Sequence, residues 1–274
     1  MDSNEISLNE VAEKLGVHYM TVYRYVRTGL LPATKRGGTW RVAIDDLKEF
    51  VGRPSTQAGR GHRRLDRYVD PFVSALTRGD ERGAWTIVKS LRGAGCEVEE
   101  LCLDLLVPAL AKIGEGWVSG AFSITDEHRA SVVVPSLLGR FRALPLPPGQ
   151  KRGLVVVGCP PAEEHAIPTS LFSLLLLGRR FGVDNLGNNT PAHVFIESVQ
   201  TADKLIAVVF AVASTEGAVN LQECVDAVRS VRLDIPIFAG GAAVIAATPA
   251  ELGIDGVFKS LKEGLDHLAE LVGP

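Results

Sequence analysis

Apolar positions along the chain follow two rhythms. At the N-terminus, "SLNEVAEKLG" sets Leu8, Val11, Ala12 and Leu15 on one helical stripe, with Ser7 as N-cap, Glu10 closing a capping box and Gly16 ending the helix. "VHYMTVYRYVRTG" follows at once, with Val17, Met20, Val22 and Val26 apolar and His18, Tyr19, Thr21, Tyr23, Arg24 and Arg27 polar or cationic. Two short helices about a glycine turn predict a helix-turn-helix, whose second helix has the dimensions of a DNA major groove. In "ATKRGGTWRVAIDDLKEFV" the paired glycines mark a two-residue hairpin, and Lys35, Arg36 and Arg41 on its flanks are what a wing needs to hold phosphate. Arg24, Arg27, Lys35, Arg36 and Arg41 are the expected phosphate contacts, with Tyr19, Thr21 and Tyr23 nearer the bases.

Further on, the pattern divides into a helical stretch and an alternating one. Residues 53–66, rich in Gly, Arg and small polar residues, carry no apolar period and read as a linker after a 1–52 domain. Residues 67–145 carry apolar residues at three- and four-residue steps in four runs separated by glycine breaks, which predicts a four-helix bundle. In "GWVSGAFSITDEHRA" this places Trp117 at a helix C-terminus and Glu127 and His128 in the first turns of the next helix, with Thr125 as its expected N-cap. Residues 151–274 alternate near-continuous apolar strands ("GLVVVGC", "KLIAVVFAVA", "IPIFAGG") and short ones ("VDNLG", "GVFKS") with helical runs. That order predicts a doubly wound parallel sheet covered on both faces, with ligands at the carboxyl ends of its strands. His165 stands in the first of those loops. Gly240 and Gly241 stand in the fourth, where absent side chains would admit a large flat ligand.

Charge separates the two halves. Residues 1–64 hold 11 Lys/Arg against 7 Asp/Glu, leaving 18 against 25 for the rest of a chain whose net charge is −3. A small cationic head on a larger anionic body points to a double-stranded DNA partner for the head alone. The four cysteines have no metal-ligand spacing, and no apolar run reaches membrane-spanning length, so the expectation is a reduced, cytoplasmic protein without a membrane partner.

The first ~50 residues resemble the winged helix-turn-helix of MerR-type and excisionase-type regulators, through "VAEKLGV", "TVYR", "GLLP" and the "WR…DL" segment. A helical bundle followed by a flavodoxin-like domain is similar to the cobalamin-binding module of methionine synthase, corrinoid methyl-transfer proteins and CarH/LitR-type light-responsive repressors. In that family an Asp/Glu-x-His-x-x-Gly loop supplies the lower axial ligand of cobalt, and here Glu163 and His165 match while Pro168 replaces the glycine. Trp117, nine residues, then Glu127 and His128 match the family's upper-face set, and "LGNNTP" matches its "LGxxxP" segment. Where the family has a serine after the third strand this chain has Ala211, with Ser214 and Thr215 nearby; where some light-responsive members have a histidine after the tryptophan it has Val118.

The resemblance implies a non-enzymatic transcriptional regulator gated by adenosylcobalamin or a related corrinoid, through ligand arrival or through photolysis of its cobalt–carbon bond. His165 would bind the metal, and Trp117, Glu127, His128, Glu163, Ser214, Thr215, Gly240 and Gly241 would line the cofactor site. Two alternatives stay open: a cobalamin-free regulator of the same fold answering to another ligand, chromophore or protein, and a corrinoid methyl carrier. No sustained heptad run follows the wing, so homo-oligomerisation is expected through the bundle.

Overall fold

The computed structural model describes residues 5–15, 19, 22–23, 26, 31–36, 39–47, 65–147 and 149–273. They form two compact units, Met1–Arg63 and Arg64–Pro274.

In the first unit, strand β1 (Glu5–Ser7), helix α1 (Leu8–Leu15), β2 (Thr34–Arg36) and β3 (Thr39–Ala43) build a small antiparallel sheet in the order β1-β3-β2 beside α1. Glu10 accepts from the Ser7 amide at 2.7 Å and donates its own amide to Ser7 Oγ at 3.3 Å, the capping box expected from the sequence. Leu8, Val11, Val22, Val26, Leu31, Val42 and Leu47 close one apolar core. β1 is not legible from periodicity, being three residues with one apolar member; pairing Ile6 with core Val42 makes it a strand. Arg36 faces Thr39 across the hairpin, so only Gly37 and Gly38 lie between, as a two-residue turn requires. Tyr19, Val22, Tyr23 and Val26 are helical; Thr21, Arg24 and Arg27 lie outside the described residues, as does the side chain of Arg36.

The second unit begins with the bundle: α2 (Asp66–Thr77), α3 (Glu81–Gly93), α4 (Val98–Leu101), a π-helical turn at Cys102–Leu106 continuing into α5 (Val107–Ser119), and α6 (Ile124–Arg142). The wide turn ends against Pro108, which has no N–H for the carbonyl four residues earlier. The cap of α6 differs from the sequence expectation. Ser123, not Thr125, is the N-cap: its Oγ accepts from Asp126 N at 3.2 Å while the Asp126 carboxylate accepts from Ser123 N at 3.0 Å. The reciprocal Ser-x-x-Asp box satisfies two helix-end donors, a pairing that the serine forms here and the threonine does not.

Five parallel strands follow: β4 (Leu154–Gly158), β5 (Gly182–Gly187), β6 (Leu205–Ala211), β7 (Ile237–Gly240) and β8 (Gly256–Phe258), in the order β5-β4-β6-β7-β8. This is the doubly wound, flavodoxin-like order, with its switch point between β4 and β6. Alternate residues face opposite layers. Val155, Val157, Ala207, Val209 and Phe238 pack with α7 (Ala166–Gly178), α11 (Leu261–Leu271) and the bundle, whereas Val156, Val208, Phe210, Ile237 and Ala239 pack with α8 (Ala192–Thr201) and α9 (Thr215–Val231). A short helix, α10 (Pro249–Leu252), precedes β8.

Helix α7 lies between sheet and bundle and is therefore apolar nearly all round: Leu171, Phe172, Leu174, Leu175 and Leu176 are buried. Within that run the Ser173 hydroxyl is buried and has no hydrogen-bond partner among the described residues. Ser173→Ala removes an unsatisfied hydroxyl and is expected to raise the unfolding free energy by about 1 kcal/mol in urea titration. Polar ties bind the same junction. Arg179 donates to Glu99 from Nε at 3.0 Å and from Nη2 at 2.6 Å, and to Asp266 from Nη1 at 2.6 Å, joining bundle to sheet layer. Among the described residues no helix is long and apolar enough to cross a membrane.

Candidate functional site

The carboxyl end of β4 opens into Cys159–Glu164, and α7 starts with His165 as its N-cap. Pro168 falls in the first turn of α7, where backbone N–H groups have no intrahelical acceptor, so the helix tolerates it without loss. Two consecutive carboxylates fix this loop from opposite sides.

Glu163 is fully buried. Its Oε2 accepts from Ala213 N at 2.7 Å, Ser214 N at 2.6 Å and Ser214 Oγ at 2.9 Å; its Oε1 accepts from His165 N at 3.1 Å and lies 2.5 Å from His165 Nδ1. Burial alone would raise its pKa, but the hydrogen bonds from the Ser214 backbone, the His165 ring and amide and the Ser214 hydroxyl overcome that and bring it to about 2. The carboxylate stays ionised and sits at the N-terminus of α9, where the helix dipole favours negative charge. Gly217 makes room for it: a Cβ there would stand 2.8 Å from Glu163 Cβ and 2.9 Å from Oε2.

The His165 side chain is 60% exposed although its partner is wholly enclosed. Nδ1 faces the Glu163 carboxylate, which leaves Nε2 as the outward nitrogen, and it makes no hydrogen bond to the described residues. An imidazole fixed in tautomer and orientation by a buried carboxylate, with its other nitrogen directed at solvent, is a metal-ligand geometry. Among the described residues no cluster of three metal-ligating side chains exists. Burial and the Glu163 charge push the neighbouring Cys159 thiol up to about 12.

Glu164 is exposed and gripped from the β5–α8 turn. Asn188 Nδ2 donates to Glu164 Oε2 at 3.1 Å and to its main-chain O at 3.2 Å, and Asn189 Nδ2 donates to Oε1 at 2.9 Å. Asn189 Oδ1 accepts from Ala162 N at 2.9 Å, and Asn189 N donates to Glu163 O at 2.8 Å. Neither this clamp nor the Ala213 and Ser214 donors were evident from the sequence. The Gly-Asn-Asn triplet after a strand is a turn signal that locates the first, whereas the second joins loops fifty residues apart.

Several expected site residues have other work. Ser214 Oγ donates to Glu163 and accepts from Gly217 N at 3.1 Å as the cap of α9, while Thr215 is exposed in its first turn. The space beside Gly241 is occupied: a Cβ would stand 2.2 Å from the Val212 carbonyl oxygen, so that glycine serves the chain's own packing. Gly240 lies at the end of β7 against Phe258. On the bundle, Trp117 is 53% exposed and Val118 80% exposed, a large apolar surface left uncovered at the end of α5. His128 Nδ1 lies 2.9 Å from Glu127 Oε2, and Ser131 Oγ donates to Glu127 Oε1 at 2.6 Å, so this pair is preset on α6.

In the N-terminal unit the Tyr19 and Tyr23 rings stack at 6.4 Å. Lys35 pairs with Trp40 and Arg41 with Thr34, which sets Lys35 and Arg41 on opposite faces of the hairpin.

Known proteins carry the same parts. Residues 6–54 match the helix-turn-helix domain model and residues 68–140 the B12 binding domain model. A 202-residue stretch is 31% identical to the HTH-type transcriptional repressor CarH of Myxococcus xanthus, covering 71% of this chain and 64% of that protein, so the chain spans somewhat less than two thirds of its relative. The solved Methanosarcina barkeri monomethylamine corrinoid protein superposes with a TM-score of 0.59 at 16% identity, over 74% of this chain and 97% of the other, and thus shares the fold.

Proposed function

As a CarH-like chain that joins a helix-turn-helix domain to a B12 binding domain, this protein is, we propose, a transcriptional regulator gated by a corrinoid held at His165. The observation that carries the reading is the His165 imidazole, solvent-facing at Nε2 and oriented by the enclosed Glu163. The residues fit the group. His165 would supply a nitrogen to the metal, the uncovered Trp117 indole would offer a flat apolar face of the kind a macrocycle stacks on, and the Glu127–His128 pair would add polar contacts. When bound in the adenosyl form, a corrinoid would supply a cobalt–carbon bond that light can break.

In this reading Tyr19, Thr21 and Tyr23 approach base edges, and Arg24, Arg27, Lys35, Arg36 and Arg41 hold phosphates of double-stranded DNA. Lys35 and Arg41, lying on opposite faces, reach different phosphates. Adenosylcobalamin is the proposed ligand, and association of several chains through the bundle is the proposed link to DNA, since linked heads bind far more tightly than single ones.

The test is fluorescence anisotropy of DNA from upstream of the protein's own gene, titrated with the full chain alone, with adenosylcobalamin in darkness, and after illumination. A change in affinity of at least about fivefold between states is expected, the lower range of allosteric coupling. Equal affinities in all three states, with no corrinoid co-eluting, would remove the corrinoid from the account. Methyl transfer from the bound corrinoid without any DNA binding would identify a carrier instead.

A further inference from the structure

We propose that Asn188 and Asn189 are positioning residues which, by gripping Glu164, hold the His165 loop in its ligand-ready form before any corrinoid arrives. The inference rests on His165 being the cobalt ligand but concerns residues that do not touch the cofactor. His165 follows two carboxylates that pull in opposite directions along the sheet edge. Glu163 ties the loop to the β6–α9 turn through Ala213 and Ser214, and Glu164 ties it to the β5–α8 turn through Asn188 and Asn189. With both ties, the imidazole is held between the turns of the two strands that flank β4.

Backbone conformation points the same way. Ala162 and Asn189 both adopt left-handed φ, 63° and 49°, an uncommon state for an alanine. The two are joined directly, Ala162 N donating to Asn189 Oδ1 at 2.9 Å, so the clamp holds the left-handed residue itself. The participating side chains are exposed or half-exposed and belong to none of the apolar cores, so the sheet does not need them to form. What they determine is where a mobile loop would otherwise place its histidine.

The experiment uses the full chain carrying Asn188→Ala with Asn189→Gly, the glycine keeping the left-handed backbone while removing the side chain. Two readouts are taken. In the ligand-free protein, amide hydrogen exchange of residues 162–166 is expected to accelerate about tenfold while exchange of the strands stays the same. With Co(II) cobinamide, which has no base of its own, electron paramagnetic resonance reads the share of cobalt carrying a protein nitrogen, and that share is expected to fall by about threefold or more. Unchanged exchange overturns the clamp; faster exchange with an undiminished nitrogen share overturns its positioning role. Absence of nitrogen splitting in the unaltered chain would instead overturn the assignment of His165, and the exchange result alone would then decide whether the clamp exists.

Discussion

Replacing Glu163 with alanine is expected to lower the unfolding free energy of the sheet-bearing unit by about 2–4 kcal/mol at neutral pH, among the largest effects of any polar substitution in the chain. The carboxylate accepts from Ala213 N, Ser214 N, Ser214 Oγ and His165 N and faces the His165 ring; its loss strands donors at a site closed to water. The effect has a pH signature. Because the folded-state pKa is depressed to about 2 from the usual 4.5, the stabilisation is complete above about 4.5 and is lost as pH falls toward 2. Urea unfolding of the unaltered chain should therefore weaken across that window, and the corresponding limb should be missing in Glu163→Gln. An alanine variant as stable as the unaltered chain at pH 7 would mean the buried network contributes nothing.

Gly241→Ala is expected to cost about 3 kcal/mol or more, while Gly240→Ala next to it costs far less, under about 1 kcal/mol. At Gly241 the backbone has φ +128°, and a Cβ would meet the Val212 carbonyl oxygen at 2.2 Å, the carbonyl carbon at 2.6 Å and the amide nitrogen at 3.0 Å. Those are backbone atoms at the end of β6, bonded to the same turn by Val212 N to Gly240 O at 2.8 Å, and they have no room to retreat. At Gly240 the nearest atom is the Phe258 carbonyl at 3.4 Å, an ordinary contact. Thermal unfolding by circular dichroism separates the two, and equal melting temperatures would contradict the packing described. The pair also shows that adjacent glycines in a ligand-side loop need not both be there for a ligand.

Much of the architecture was readable from the chain because its signals are local and repeated. The near-continuous apolar strands follow from burial on both faces, visible in the way Val155 and Val157 serve one core and Val156 the other. The apolar run at 171–176, broken only by Ser173, follows from a helix enclosed between two layers. What escaped was short or distant. Strand β1 has three residues and exists through its pairing with β3. Ser123 takes the cap from Thr125 because only it has an acid three residues on, Asp126. His165 and Glu163 stood out as a pair two residues apart, whereas the donors that fix Glu163 come from Ala213 and Ser214 after another strand, a juxtaposition only the strand order reveals. Ser214, expected among the residues lining the cofactor site, donates its hydroxyl to Glu163. Lys35 and Arg41 looked like one phosphate grip; counting the two-residue hairpin outward, 36 opposite 39 and 35 opposite 40, already puts them on opposite faces.

The central claim is that Nε2 of His165 binds cobalt, and its most direct test is the electron paramagnetic resonance spectrum of Co(II) cobalamin bound to the full chain grown with 15N-histidine. Coordination by that imidazole predicts a two-line nitrogen splitting from the label, absent in His165→Ala. A three-line pattern from the cofactor's own unlabelled base, or a labelled splitting that survives His165→Ala, would contradict it.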